Sequence, residues 1–231
     1  FRNVFLKPTN FPLRTIEKEN QPNSNIYFQK DLKTVKNFKN QISSQFNESI
    51  NFSSVLLGLI SRDLYVALED EIKMKKRFFK AMVIVGFEGL PKEKNNFGFI
   101  TIYIYFDLMN NLTELIYNIN NQLKKYYTDS FISMEIINNY GEYLNNDNNN
   151  NTNQKKDYDI NFSCFQHPYL GENDKYDVSQ INIKLYDLST SLYCFCLSDH
   201  NSVENPKIHT SISLNTDQIN AEKLKEITAV S

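Results

Sequence analysis

Tryptophan is absent from the 231 residues, histidine and cysteine occur three times each, and glycine and proline six times each. Each scarcity excludes something. Six glycines form neither a G-x-G-x-x-G fingerprint nor a Gly-Lys-Ser/Thr loop, so no glycine-rich backbone cradle for phosphate is encoded. No H-E-x-x-H sets two histidines on one helix face. Three cysteines, Cys164, Cys194 and Cys196, are too few and too odd for a secreted disulfide framework, and a reducing compartment fits them better. The longest apolar stretch, "FGFITIYIYF" at 97–106, is about half of the roughly 20 residues that a membrane helix needs.

What is present is core material: 41% hydrophobic residues, with 14 Tyr and 17 Phe. The mean hydropathy of -0.49 reflects the many asparagines and lysines. The net charge of -2 hides an asymmetry. Residues 1–80 carry 14 basic and 8 acidic side chains (+6), and residues 81–231 carry 11 and 19 (-8). Residues 1–50 are polar, contain Pro8, Pro12 and Pro22, and read as a flexible basic segment; the acid-poor opening, with Arg2, Lys7 and Arg14, suits either a transit-peptide remnant or a plain basic tail. Residues 51–231 read as a single α+β domain.

Within that domain, Leu57, Ile60, Leu64, Leu68 and Ile72 recur at spacings of three and four and predict one amphipathic helix over 54–79. Glu69 with Lys73 and Glu71 with Lys75 would support its exposed side. "AMVIVGF" (81–87), 97–107 and 130–137 read as strands, and 111–127 as a helix opened by Asn111 and Glu114. Alternation at 158–164 and 181–185, the apolar "LYCFCL" at 192–197, and Ile212 with Leu214 predict four more strands, followed by a helix capped by Thr216. Strands joined mainly by short turns predict an antiparallel sheet. The asparagine-rich stretch at 145–156 reads as an inflated loop between two paired strands, 130–137 and 158–164.

Candidate chemistry is sparse. Cys194 and Cys196 would share a strand face and could bind zinc with Cys164 and His167, His200 or His209. An apolar setting and the lack of a second Cys-x-x-Cys favour ordinary buried thiols, so no metal or cofactor is expected. Ser198, Asp199 and His200 are neighbours in sequence and read as a turn rather than a triad. Residues 157–204 hold eight acids and two bases, a net of -6. Asp157, Asp159, Glu172, Asp174, Asp177 and Asp187 are the candidate docking surface for basic partners, and that sign argues against a nucleic-acid site in this half. A basic N-terminal arm could still touch phosphates.

Four segments, "LYVALEDEIKMKK" (64–76), "FISMEIINNYGEYL" (131–144), "INFSCFQHPYLGENDKYDVSQINI" (160–183) and "HTSISLNTDQINAEKL" (209–224), occur in an order that resembles the mitochondrial acidic matrix protein family, also called the mitochondrial glycoprotein family. The resemblance covers roughly 55–224. It implies a strongly twisted antiparallel β-sheet flanked by N- and C-terminal helices and a ring-shaped homotrimer. It also implies a non-enzymatic protein of the mitochondrial matrix that binds basic proteins of the matrix or mitoribosome and supports mitochondrial translation, ribosome assembly and oxidative phosphorylation. The chain departs from the family at 111–127 and in having only sixteen residues after Asn215, where the family has a long trimer-forming helix. A structural subunit of an organellar complex and a small Cys/His metal-binding protein are the alternatives.

Overall fold

The computed structural model describes residues 11–14, 24–86, 97–128, 158–166, 191–198 and 206–230. They form β1 (Ser24–Asp31), α1 (Leu32–Phe46), α2 (Phe52–Ala67), α3 (Asp70–Lys75), β2 (Phe78–Gly86), β3 (Phe97–Tyr105), α4 (Leu112–Thr128), β4 (Ile160–Gln166), β5 (Leu192–Ser198), β6 (Lys207–Leu214) and α5 (Ala221–Val230). The α+β expectation holds. The sheet, in the order β1-β6-β5-β4-β2-β3, is mixed rather than antiparallel. β4 runs parallel to both β2 and β5, while β1–β6, β5–β6 and β2–β3 are antiparallel.

That arrangement sets β4 between two parallel neighbours. Over Ile160–Phe162 both edges of β4 are taken, by Ala81–Val83 of β2 and by Leu192–Cys194 of β5. Residues 130–137, the asparagine-rich 145–156 stretch and the expected strand at 181–185 lie outside the described residues.

The core follows from the register. The row Ile26–Ile212–Cys194–Phe162–Val83–Ile100 crosses all six strands on one face, and each member is buried in the same hydrophobic cluster as Leu56, Leu57, Ile60 and Leu64 of α2 and Ile116 and Ile119 of α4. Phe78, Met82, Tyr193 and Leu197 alternate with core residues along their strands and are buried outside that cluster, on the opposite face.

Residues 24–46, expected to be irregular, supply edge strand β1 and helix α1. Ile26 and Phe28 enter the core, and Asp31 caps α1 by accepting from the Thr34 amide at 2.6 Å. Asn47 ends that helix at φ 51°, a left-handed position that asparagine tolerates.

The single helix expected over 54–79 is interrupted at Leu68, whose backbone is extended (φ -68°, ψ 144°) and bridges to Ile219. The Glu69 amide donates to the Gln218 carbonyl (3.0 Å), and the Asn220 amide to the Ala67 carbonyl (3.0 Å). These long-range bonds replace helical ones, yet Leu57, Ile60, Leu64, Leu68 and Ile72 are all buried as their spacing predicts. Glu69 precedes α3 at its N-cap position, and Lys73 pairs with Asp70 at 2.9 Å instead; the Glu71–Lys75 pair forms as expected. α4 starts where Asn111 predicted, with Asn111 Oδ1 accepting from the Glu114 amide (3.3 Å). α5 is capped by Asn220, which accepts from the Lys223 amide at 2.9 Å, rather than by Thr216.

Candidate functional site

Polar groups gather at both ends of the parallel β2–β4–β5 unit, and the two ends are built differently. At the amino end of β4, Asp159 is fully buried and completely bonded. Its Oδ1 accepts from the Leu13 amide (2.7 Å), its Oδ2 accepts from the Lys80 amide (2.8 Å), and the ammonium of Lys76 lies 3.0 Å from Oδ2. Lys76 Nζ also donates to the Phe11 carbonyl at 2.6 Å, and Ser191 Oγ to the Leu13 carbonyl at 2.7 Å. Burial draws both partners toward their neutral forms, Asp159 upward and Lys76 downward, against their mutual attraction. The assembly clasps residues 11–14 onto the sheet. It leaves no oxygen for a ligand.

The opposite end holds a polar layer between α2 and the sheet. The row Lys30–Ile208–Ser198–Gln166 marks the carboxyl ends of β1, β5 and β4, and one step inward lies Phe28–Thr210–Cys196–Cys164. Cys196 Sγ is 3.7 Å from Thr210 Oγ1, and Ser53 of α2 reaches Cys164. Burial pushes the thiols of Cys164 and Cys194 up to about 11 and about 12, and that of Cys196 well above its ordinary value. All three are protonated at neutral pH, so none is a thiolate nucleophile or a ready metal ligand.

α2 adds Asp63, 1% exposed, with no hydrogen-bond partner on either oxygen among the described residues. Arg62 Nη2 approaches Oδ1 only to 3.7 Å, beyond hydrogen-bonding range. Burial pushes the Asp63 carboxyl up, and the charges of Lys30 and Arg62 oppose that. Burial likewise pulls Lys30 down, with Asp63 opposing. A carboxyl raised and an amine lowered within electrostatic reach of each other are groups suited to accept and return protons. In open α/β sheets the carboxyl ends of parallel strands are the usual place for a ligand.

A third cluster occupies the other face of the β1–β6 ladder. Lys207 Nζ donates to Gln29 Oε1 (3.0 Å), Gln29 Nε2 to Tyr27 Oη (2.6 Å), and Tyr27 Oη lies 2.7 Å from His209 Nδ1. The Tyr27 hydroxyl, which accepts from Gln29, and His209 Nδ1 share one hydrogen bond whose donor depends on the tautomer of the ring.

Of the acids expected to form a docking face, Asp159 is internal. The alternation read from 158 assumed a strand already under way there, whereas Asp159 lies in a bend before β4 begins at Ile160. Asp157, Glu172, Asp174, Asp177 and Asp187 lie outside the described residues, as do His167, Asp199 and His200. His209 alternates with Thr210, the neighbour of Cys196, so it faces away from the cysteines and cannot join them on a metal. Among the described residues no three His, Cys, Asp or Glu side chains converge on a metal position. Asp63 and Lys30 were missed. The signal for Asp63 was present: Leu56, Ile60, Asp63 and Ala67 follow one stripe of α2, and a carboxylate on a core stripe is out of pattern.

No family model matches the chain, and no curated protein does. Solved structures do share its fold. The epimerization domain from the third module of tyrocidine synthetase B is similar over 98% of this chain and 51% of its own, at 10% identity and a TM-score of 0.54. PapA2 acyl transferase is similar over 96% of this chain and 48% of its own, at 8% identity and a TM-score of 0.51. The chain therefore has a fold that enzymes use, and it spans about half the length of these two structures.

Proposed function

We propose that this chain is one lobe of a protein of the acyl-transfer class, completed by a second lobe, with substrate approaching the carboxyl ends of β4 and β5. The observation that supports it is the near-complete match of the chain to half of an acyl transferase and half of an epimerization domain. The polar layer fits the reading, because acyl transfer needs groups that accept and return a proton in a site shielded from water. Protonated cysteines disfavour a covalent acyl-enzyme on these thiols and favour direct attack by an acceptor alcohol or amine on the acyl donor. In this reading the non-enzymatic expectation gives way to transfer chemistry.

The test is incubation of the purified protein with a panel of acyl thioesters and amine or alcohol acceptors, followed by mass spectrometry of the acceptor and calorimetry of thioester binding. Transfer or saturable binding that falls in Lys30→Met supports the reading. Neither transfer nor binding across the panel sinks it.

A second reading keeps the acidic matrix protein that docks basic partners, as a mitochondrial homotrimer. It rests on the net -6 of residues 157–204, from which Asp159 is removed because it is buried. Capture of basic mitochondrial proteins at low salt and release at high salt, together with a trimeric solution mass, supports it. A monomer that captures none of them does not.

A further inference from the structure

The polar side chains around Asp63 are partnered, and Asp63 is not. Cys196 meets Thr210 (3.7 Å), Cys164 meets Ser53, and the Lys30 ammonium lies over the Phe28 ring, 5.4 Å from its centre. Asp63 is 1% exposed, and neither of its oxygens has a hydrogen-bond donor among the described residues. It stands on the core stripe Leu56–Ile60–Asp63–Ala67 of α2, where an apolar side chain would carry no desolvation cost. This fold completes a carboxylate elsewhere: Asp159 receives two backbone amides and an ammonium. A buried carboxylate left open beside satisfied neighbours, at the carboxyl ends of parallel strands, has the form of one half of a binding contact.

We propose that Asp63 is the anchor for a primary ammonium group on a small substrate. In the acyl-transfer reading, on which the choice of substrate rests, the acceptor carries that ammonium. Two carboxylate oxygens call for N–H donors and their charge calls for a cation, and a primary ammonium brings both in one small group. Other ligands match one need only. A quaternary ammonium has charge without N–H, and an alcohol has a single O–H without charge. A metal ion would lack further acidic or imidazole ligands, because no three His, Cys, Asp or Glu side chains converge among the described residues. Arg62 marks the approach: its Nη2 is 3.7 Å from Oδ1 and its side chain is 37% exposed, so a flexible, solvent-reaching group stands beside the carboxylate and can swing aside. The role is recognition, and no bond to the ammonium nitrogen is made or broken.

The test is isothermal titration calorimetry of the full chain with n-butylammonium chloride at neutral pH and constant ionic strength, with no acyl donor present. Saturable binding is expected. Hydrogen bonds to a buried charge predict a loss of about tenfold or more in Asp63→Asn, with an unchanged circular dichroism spectrum. Tetramethylammonium chloride and n-butanol should each bind about tenfold more weakly than n-butylammonium, or worse. Glu222→Gln, at an exposed ion pair on α5, should leave binding as it was. The proposal is overturned by absence of saturable n-butylammonium binding, by equal binding of tetramethylammonium or n-butanol, by an Asp63→Asn variant that binds like the parent, or by equal loss in Glu222→Gln. Binding of n-butylammonium without transfer from any acyl thioester sinks only the acyl-transfer reading. Transfer to alcohols without n-butylammonium binding sinks only the assignment of Asp63.

Discussion

Replacing Asp63 with asparagine should make the protein more stable at neutral pH. The carboxylate is 1% exposed and unbonded on both oxygens among the described residues, and leaving a buried polar group unsatisfied costs about 1–3 kcal/mol, more when it is charged. Because burial raises the folded pKa above the ordinary 3.8, the folded state holds the proton more tightly than the unfolded chain does. Stability is therefore lost as pH rises from 3.8 through the folded pKa, and the penalty is constant above it. An asparagine side chain there removes the charge while keeping the shape. Lys30 loses an attractive neighbour but is only half-buried, and its long side chain can carry the ammonium to water. The balance is a gain of about 1–2 kcal/mol at pH 7, shrinking toward zero as pH approaches 4. Urea unfolding followed by circular dichroism at pH 7 and pH 4 measures both ends. Destabilisation by Asp63→Asn at pH 7, or a gain of equal size at the two pH values, would refute the reasoning and make Asp63 an ordinary ion-pair partner. If acyl transfer is found, a stabilised variant with lost activity marks a group kept for function.

Other perturbations test the framework around the site. Lys76→Met leaves the buried Asp159 carboxylate without its cation and should cost about 3–5 kcal/mol in urea unfolding, and a parent-like midpoint would show that the two backbone amides suffice. In Gly58→Ala the new Cβ would stand 2.5 Å from Ile116 Cγ1 on α4, so overpacking of about 1–3 kcal/mol outweighs the helix-propensity gain of about 1 kcal/mol, and the melting temperature should fall. Gln122 of α4 closes the outer edge of β3, accepting from the Tyr103 amide (2.8 Å) and donating to the Tyr103 carbonyl (2.7 Å). Gln122→Ala should expose that edge and give concentration-dependent self-association in light scattering; a variant that stays monodisperse would show that the edge is protected by other means.

Periodicity was the legible part of the fold. α4, β3, β5 and the buried stripe of α2 lie where spacing and composition put them, because each reflects a local pattern in contact with one core. Pairing was not legible. β4, read as half of a hairpin, is the central strand of a parallel trio, and nothing in "INFSC" distinguishes the two, since a strand buried on both edges carries the same side-chain alternation either way. β1 was missed because Asn25, Tyr27, Gln29 and Lys30 dilute a strand whose inward residues are only Ile26 and Phe28. The break at Leu68 was invisible for a different reason: it is made by hydrogen bonds to Gln218 and Asn220, near the far end of the chain. In the candidate site, Asp159 was misread because a polar residue just before a strand can face either way, and only tertiary donors, the Leu13 and Lys80 amides, turn it inward.

The two buried aspartates separate architecture from function through the sign of one substitution. Asp159 has a cation and two amides aimed at its oxygens, so Asp159→Asn turns an NH2 group toward an N–H donor and leaves Lys76 buried without its counter-charge. That change should cost about 3 kcal/mol or more, because a completed network is broken from within. Asp63 has no hydrogen-bond donor among the described residues and only the distant Arg62 guanidinium at 3.7 Å, so the same change relieves a penalty instead of creating one. Measured side by side at pH 7, Asp159→Asn should lower the urea midpoint and Asp63→Asn should raise it. Two shifts of the same sign would mean that burial alone governs both residues, and the polar layer under α2 would then have no better claim to function than the clasp at the other end of the sheet.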